Sequence, residues 1–188
     1  MYINSGYLNN SCTDFKDNST PLVVGSCGTY RLKTRPKLPT YWQKGRRDYQ
    51  ILYVANGKTY FWLDGREEIV SADHMVLYKS EEIQKYVYYL EDNPEVFWIH
   101  FTGSDVKNIL AYHGISLDEH MFYCGVLPDY KALLRKIIQE LQLCRYGYED
   151  YIASLFNDIL LLVDRQQHER KKATGNVEDQ IGMCGSLL

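Results

Sequence analysis

The 188-residue chain carries 21 Lys and Arg against 24 Asp and Glu, a net charge of -3, and is 45% apolar. That balance argues against a basic surface that grips nucleic acid by itself, and it leaves enough apolar side chain for one packed domain rather than a disordered chain. No apolar run is long enough to cross a bilayer and the polar start MYINSGYLNN has no signal pattern, so a cytoplasmic location is expected.

Residues 1–20 are rich in Asn, Ser, Asp and Gly with scattered aromatics at Tyr2, Tyr7 and Phe15, which predicts an arm lying across a surface rather than a core element. Residues 22–32, LVVGSCGTYRL, read as a strand in which Gly25 and Gly28 permit bending or close approach. Pro36 and Pro39 are expected to break the ladder after it. The stretch 45–64, GRRDYQILYVANGKTYFWLD, then predicts a hairpin: Tyr49, Ile51 and Tyr53 alternate with Gln50, Leu52 and Val54, and Asn56-Gly57 suits a tight turn. A second turn at Asp64-Gly65 leads to a third strand at Glu68, Ile69 and Val70.

Three further strands follow, at residues 75–78, 86–90 and 96–101, separated by polar turns that include Glu91, Asp92, Asn93 and Pro94. Short strands at near-regular spacing predict a sandwich or barrel of the jelly-roll kind over residues 21–125. The period then changes. Ser104 is positioned to cap a short helix in which Val106, Ile109, Leu110 and His113 share a face up to Gly114. A longer helix is predicted from Pro128 to about Arg145, and another from about Glu149 to Lys171.

The fold class is therefore mainly β with two long C-terminal helices, residues 126–172 forming the helical segment and 173–188 a linker or tail. In the last helix Ile159 to Val163 are apolar without a break, and at about 100° per residue they encircle it. One face can pack at home while another meets a second copy, with Tyr151, Leu155, Ile159 and Leu162 as the expected homodimer seam. The alternative is a helix enclosed wholly by its own domain.

Five cysteines at 12, 27, 124, 144 and 184 form no C-x-x-C pair and read as free thiols. Histidines 74, 100, 113, 120 and 168 show no H-x-H or H-E-x-x-H spacing, so neither a metal site, a cofactor nor a catalytic constellation is expected. Counting by twos from Trp42 instead collects Lys44, Arg46, Gln50 and Leu52, with Asp48 between, then Gln84 with Tyr86, and Val96 with Trp98 and His100. Such a face can wall a donor-rich, aromatic cavity suited to a polar small molecule, or it can simply face solvent.

The run RRDYQILYVANGKTYFWLDGREEIVSADHMVLYKSEE at 46–82, followed by WIHFTG at 98–103, resembles the N-terminal effector-binding and dimerisation domain of AraC-type transcription regulators over residues 21–170. The resemblance implies a cupin barrel with trailing helices that dimerise, a small polar effector inside the barrel, often a sugar, and no enzymatic activity. By that resemblance Trp42, Arg46, Gln50, Gln84, Tyr86 and Trp98 line the effector site. It also implies that DNA is read by a separate helix-turn-helix domain, which residues 173–188 are too short to form. Enzymatic cupins hold a metal through histidines and a glutamate; the matching positions here are Lys44, Arg46, Gln50 and Gln84, poor ligands that favour sensing over catalysis. A cupin-type enzyme acting on a sugar or small metabolite is the alternative.

Overall fold

The computed structural model describes residues 1–10 and 14–184, with side chains for 1–9 and 14–174. Ten strands among them form two antiparallel sheets. The larger sheet has β1 (Tyr2–Tyr7), β2 (Val23–Arg31), β9 (Glu95–Thr102), β4 (Tyr49–Asn56), β7 (His74–Tyr78) and β10 (Met121–Tyr123) side by side in that order. The smaller sheet has β3 (Lys37–Trp42), β8 (Gln84–Tyr89), β5 (Lys58–Leu63) and β6 (Arg66–Ser71). Helices α1 (Val106–Tyr112), α2 (Pro128–Leu143) and α3 (Tyr148–Cys184) complete the chain. This is the expected mainly-β fold with long C-terminal helices.

The molecule has three layers, and the six-stranded sheet is the middle one. Its inner-facing Leu52, Val54, Val76, Val96 and Trp98 meet Phe61, Leu63, Val70, Tyr86 and Tyr88 of the smaller sheet. Its other face, with Ile51, Tyr53, Met75, Leu77, Phe97, Ile99 and Phe101, packs on Leu134, Ile137, Ile138 and Leu141 of α2 and on Ile152, Phe156, Ile159, Leu160 and Val163 of α3. Burial on both faces explains why β4, β7 and β9 are almost continuously apolar rather than alternating.

Several expectations need correction. The turn at Asn56-Gly57 does not close a hairpin, because β4 pairs with β7 and β9 whereas β5 pairs with β6 and β8. It is a corner at which the chain leaves one sheet for the other. Gly57 has φ +71°, a Cβ there would overlap the Asp92 carbonyl, and Asn56 Nδ2 donates to the Asn93 carbonyl at 2.9 Å. The true two-residue hairpin is Asp64-Gly65, with Leu63 opposite Arg66. Pro39 does not end the ladder: β3 is an edge strand, where a residue without an N–H is tolerated.

The expected N-terminal arm is in part a strand, since β1 extends the large sheet with Tyr2 opposite Arg31 and Tyr7 opposite Ser26. Gly6 lets α2 approach, as any Cβ there would crowd the Leu141 side chain and the Ile138 carbonyl. The rings of Phe15 and Trp98, not another backbone, occupy the space above Gly25 and Gly28. Ser104 is not the cap of α1; its hydroxyl donates to the Thr20 carbonyl at 3.2 Å and Asp105 takes the cap position. Helix α3 runs on to Cys184, so residues 173–184 are helical rather than a linker, and 185–188 lie outside the described residues.

Two of the four residues assigned to a dimer seam, Leu155 and Ile159, are buried in this chain's own core. Tyr151 is exposed, Leu162 is half-buried, and the neighbouring Leu161 is also exposed. Cys27, Cys124 and Cys144 are free thiols, the first two buried, while Cys12 and the Cys184 side chain lie outside the described set. No described helix is long and apolar enough to cross a membrane.

Candidate functional site

Between the two sheets lies a cavity of about 210 Å³. Trp42, Arg46, Gln50, Gln84, Tyr86 and Trp98 all border it, so the residues singled out from the strand pattern come together in space. Lys44 does not: it is exposed in the turn closed by the Gly45 N–H to the Trp42 carbonyl. Tyr7, Ser26, Tyr30, Thr40 and His100 complete the wall. Trp42 is partly exposed at the rim, with the Arg46 guanidinium 5.7 Å from its ring centroid.

The polar part of the wall is a connected network. Arg46 donates twice to Asp48, Nε to Oδ1 and Nη2 to Oδ2, both at 2.8 Å, in the fork geometry that a guanidinium and a carboxylate share. His100 Nδ1 stands 3.3 Å from Asp48 Oδ1, and His100 Nε2 stands 3.2 Å from Gln50 Nε2. Gln50 and His100 are directly opposite on β4 and β9, which is what joins them.

Burial acts on both titratable partners in this network. It pulls the Asp48 carboxyl upward, but the hydrogen bonds from His100 and Arg46 outweigh it and hold that group below its ordinary value. It lowers His100, the Arg46 charge adds to the effect, and Asp48 only partly opposes it. The imidazole is therefore neutral at pH 7. With Asp48 accepting from Nδ1–H, Nε2 is left to accept from the Gln50 amide. The Arg46 charge is balanced inside the wall by Asp48, and the cavity presents no net charge from this pair.

The tyrosines supply neutral hydroxyls. Burial, reinforced by Tyr86 and Tyr7, pushes Tyr30 up to about 12. Burial also raises Tyr86, whose hydroxyl has Thr40, Gln50 and Tyr88 near it. Gln84 stands apart: it is 1% exposed, and neither its amide nitrogen nor its amide oxygen has a hydrogen-bond partner. A buried polar group left unpaired costs about 1–3 kcal/mol, so its place on a cavity wall calls for a reason.

Counting by twos collects His100 with Trp98 and runs through Asp48 between Arg46 and Gln50, yet neither is among the six residues expected to line the site; the same period-2 spacing at 46, 48 and 50 and at 98 and 100 is the signal that places both on the cavity side. Tyr7 and Thr40 were out of reach because β1 and β3 were not read as strands.

Two sheets enclosing a polar, aromatic-walled cavity, with helices trailing on the outer face of one sheet, define a small-molecule-binding domain. The sequence pattern of the AraC-like ligand binding domain matches residues 26–162. The chain belongs to that family.

Among solved structures, apo ToxT K231A from Vibrio cholerae is similar over 80% of this chain and 58% of its own, with 16% identity and a TM-score of 0.51. The EutQ protein of Clostridium difficile matches over 42% of this chain and 56% of its own, with 18% identity and a TM-score of 0.31. A cupin domain of an XRE-family regulator from Enterobacter cloacae matches over 53% and 95%, with 12% identity and a TM-score of 0.36. The chain thus spans little more than half the length of ToxT and EutQ. No curated protein matches by sequence.

Proposed function

We propose that this domain senses a small uncharged polar effector, with a sugar of monosaccharide size as the favoured class, held by Trp42, Arg46, Gln50, Gln84, Tyr86 and Trp98. The observation that carries the reading is the unpaired Gln84 amide on the cavity wall. A polyhydroxylated ligand offers a donor and an acceptor to that amide at once, and Trp98 and Trp42 offer flat faces to its C–H surfaces. The cavity volume falls below the roughly 300–1,000 Å³ of drug-sized sites, which favours a small ligand. Because Asp48 already balances Arg46, an anionic ligand gains no free countercharge here.

The role is binding rather than catalysis. Arg46 occupies one of the positions where an enzymatic cupin keeps a metal ligand, and a guanidinium has no lone pair to give a cation. The domain works as part of a cytoplasmic transcription regulator that contacts DNA through a separate helix-turn-helix domain. It forms a homodimer through the outer face of α3 around Tyr151, Leu161 and Leu162, and residues 21–125 and 126–172 divide sensing from assembly.

Calorimetry with neutral monosaccharides and their matching uronic acids tests the reading, using Arg46→Ala and Trp98→Ala as controls. The neutral sugar is expected to bind and both variants to lose it; a hit that binds both variants unchanged overturns the assignment. Stoichiometric iron, zinc or manganese in the purified protein would favour the enzyme instead.

A further inference from the structure

A second concave site lies on the opposite face of the large sheet, where β1 and β2 meet α2, and it is independent of the cavity described above. It has a volume of about 640 Å³, within the range of small-molecule sites. Arg31 and Lys33 border it from the β2 side and Arg135 and Lys136 from α2, against one carboxylate, Glu95. In a chain of net charge -3 this is a local reversal of sign. A cleft lined by one sign of charge concentrates ligands of the other.

Glu95 gathers the cations without using them up. Its side chain is 5% exposed, and it meets Lys131 Nζ at 2.8 Å, Arg31 Nε at 3.5 Å and Arg135 Nη2 at 3.6 Å. One charge is shared by three partners, and the two guanidinium contacts are long. Arg135 is further held with its Cζ 5.9 Å from the Phe97 ring centroid, which orients its fork beside the groove. Lys136 is shared with Glu140 at 3.0 Å. The second, separate sign of a ligand is Thr29: it lines the groove, is 5% exposed, and its hydroxyl has no hydrogen-bond partner.

We infer that this groove binds a small dianion, a phosphate group or a dicarboxylate, through Arg31, Arg135 and the Thr29 hydroxyl. Guanidinium forks pair with tetrahedral and planar oxyanions in two-point contacts, and the hydroxyl supplies a donor at the groove's floor. An uncharged sugar would leave the cations unsatisfied, so the two sites select different ligands.

The test is calorimetric or NMR titration of the whole chain with inorganic phosphate and with succinate, at constant ionic strength set by chloride. Saturable binding of at least one of them is expected, weakened about tenfold or more in Arg135→Gln, in line with losing a hydrogen bond to a charged group. Thr29→Val, which keeps the β-branched shape, is expected to weaken it several-fold, and Gln84→Leu to leave it unchanged. Phosphate against succinate decides which oxyanion fits. Binding that never saturates, or that is the same in Arg135→Gln and Thr29→Val as in the parent, overturns the inference.

Discussion

Replacing Gln84 with Leu separates a structural amide from one kept for a ligand. The side chain is 1% exposed and both amide atoms are unpaired, so the free protein bears a desolvation cost of about 1–3 kcal/mol that a shape-matched apolar side chain removes. Water entering the cavity satisfies part of the amide and moves the gain toward the lower end of that range. In a chain of this size each kcal/mol shifts Tm by about 2–4 °C, so with a gain of about 1 kcal/mol the free variant should melt about 2–4 °C higher. The parent should gain about 2.7 kcal/mol more from an effector at a hundred times its Kd, and the variant close to nothing. Differential scanning fluorimetry with and without the bound sugar reads both quantities. A variant that melts lower than the parent, or that keeps the effector-induced shift, refutes the reasoning.

Asp48→Asn should destabilise by about 3–5 kcal/mol in urea denaturation, because it leaves the buried Arg46 charge uncompensated, and it should move ligand preference toward sugar acids. His100 is lowered in the folded state from an ordinary value of 6.5, so the folded chain binds fewer protons than the unfolded chain below that pH. Stability should therefore fall from about pH 6.5 down to the lowered folded value. His100→Gln should flatten the slope, leaving the same-signed share of His113, which burial also lowers; urea midpoints at several pH values check this. Asp48 acts further down, its contribution present above 3.8 and lost as pH falls through its lowered value. Gly57→Ala should cost several kcal/mol, since a Cβ at the sheet corner overlaps the Asp92 carbonyl, whereas Gly65→Ala, with open space around it, should cost only about 1 kcal/mol from its positive φ. Equal losses at the two glycines would contradict the corner.

The strands that the sequence made legible are those whose local composition and tertiary role agree. β4, β5, β7, β8 and β9 carry dense β-branched and aromatic residues between turn signals, and they lie where the pattern put them. What could not be read is pairing. Asn56-Gly57 has the residues of a tight turn, yet the same positive φ serves a corner between sheets, and only the contact with Asp92 and Asn93 tells them apart. β1 and β3 are polar because they are edges, so their composition resembles that of a loop. The same limit governed the site: alternation placed Arg46, Gln50 and Gln84 on one side, but the pairing of Gln50 with His100, 50 residues apart in the chain, depends on the register of β4 against β9. The exposed side of α3 was equally hidden, since five apolar residues in a row do not say which of them face the sheet.

The Arg46, Asp48, His100 and Gln50 chain gives the cavity a fixed polarity as well as a fixed charge. Asp48 accepts from Arg46 and His100, which leaves His100 Nε2 as an acceptor toward the Gln50 Nε2 donor and leaves the Gln50 carbonyl oxygen unpaired. Gln50 thus offers an acceptor on the cavity wall, while Gln84 offers both a donor and an acceptor. A protonated His100 would carry hydrogens on both nitrogens and force the Gln50 amide to turn over, exchanging that acceptor for a donor. Burial opposes this by holding the imidazole neutral, and the Arg46 charge beside it works in the same direction. The Arg46 charge balanced by an internal carboxylate and a histidine held in one tautomer fix which donors and acceptors the wall presents, which is the basis for proposing a neutral ligand.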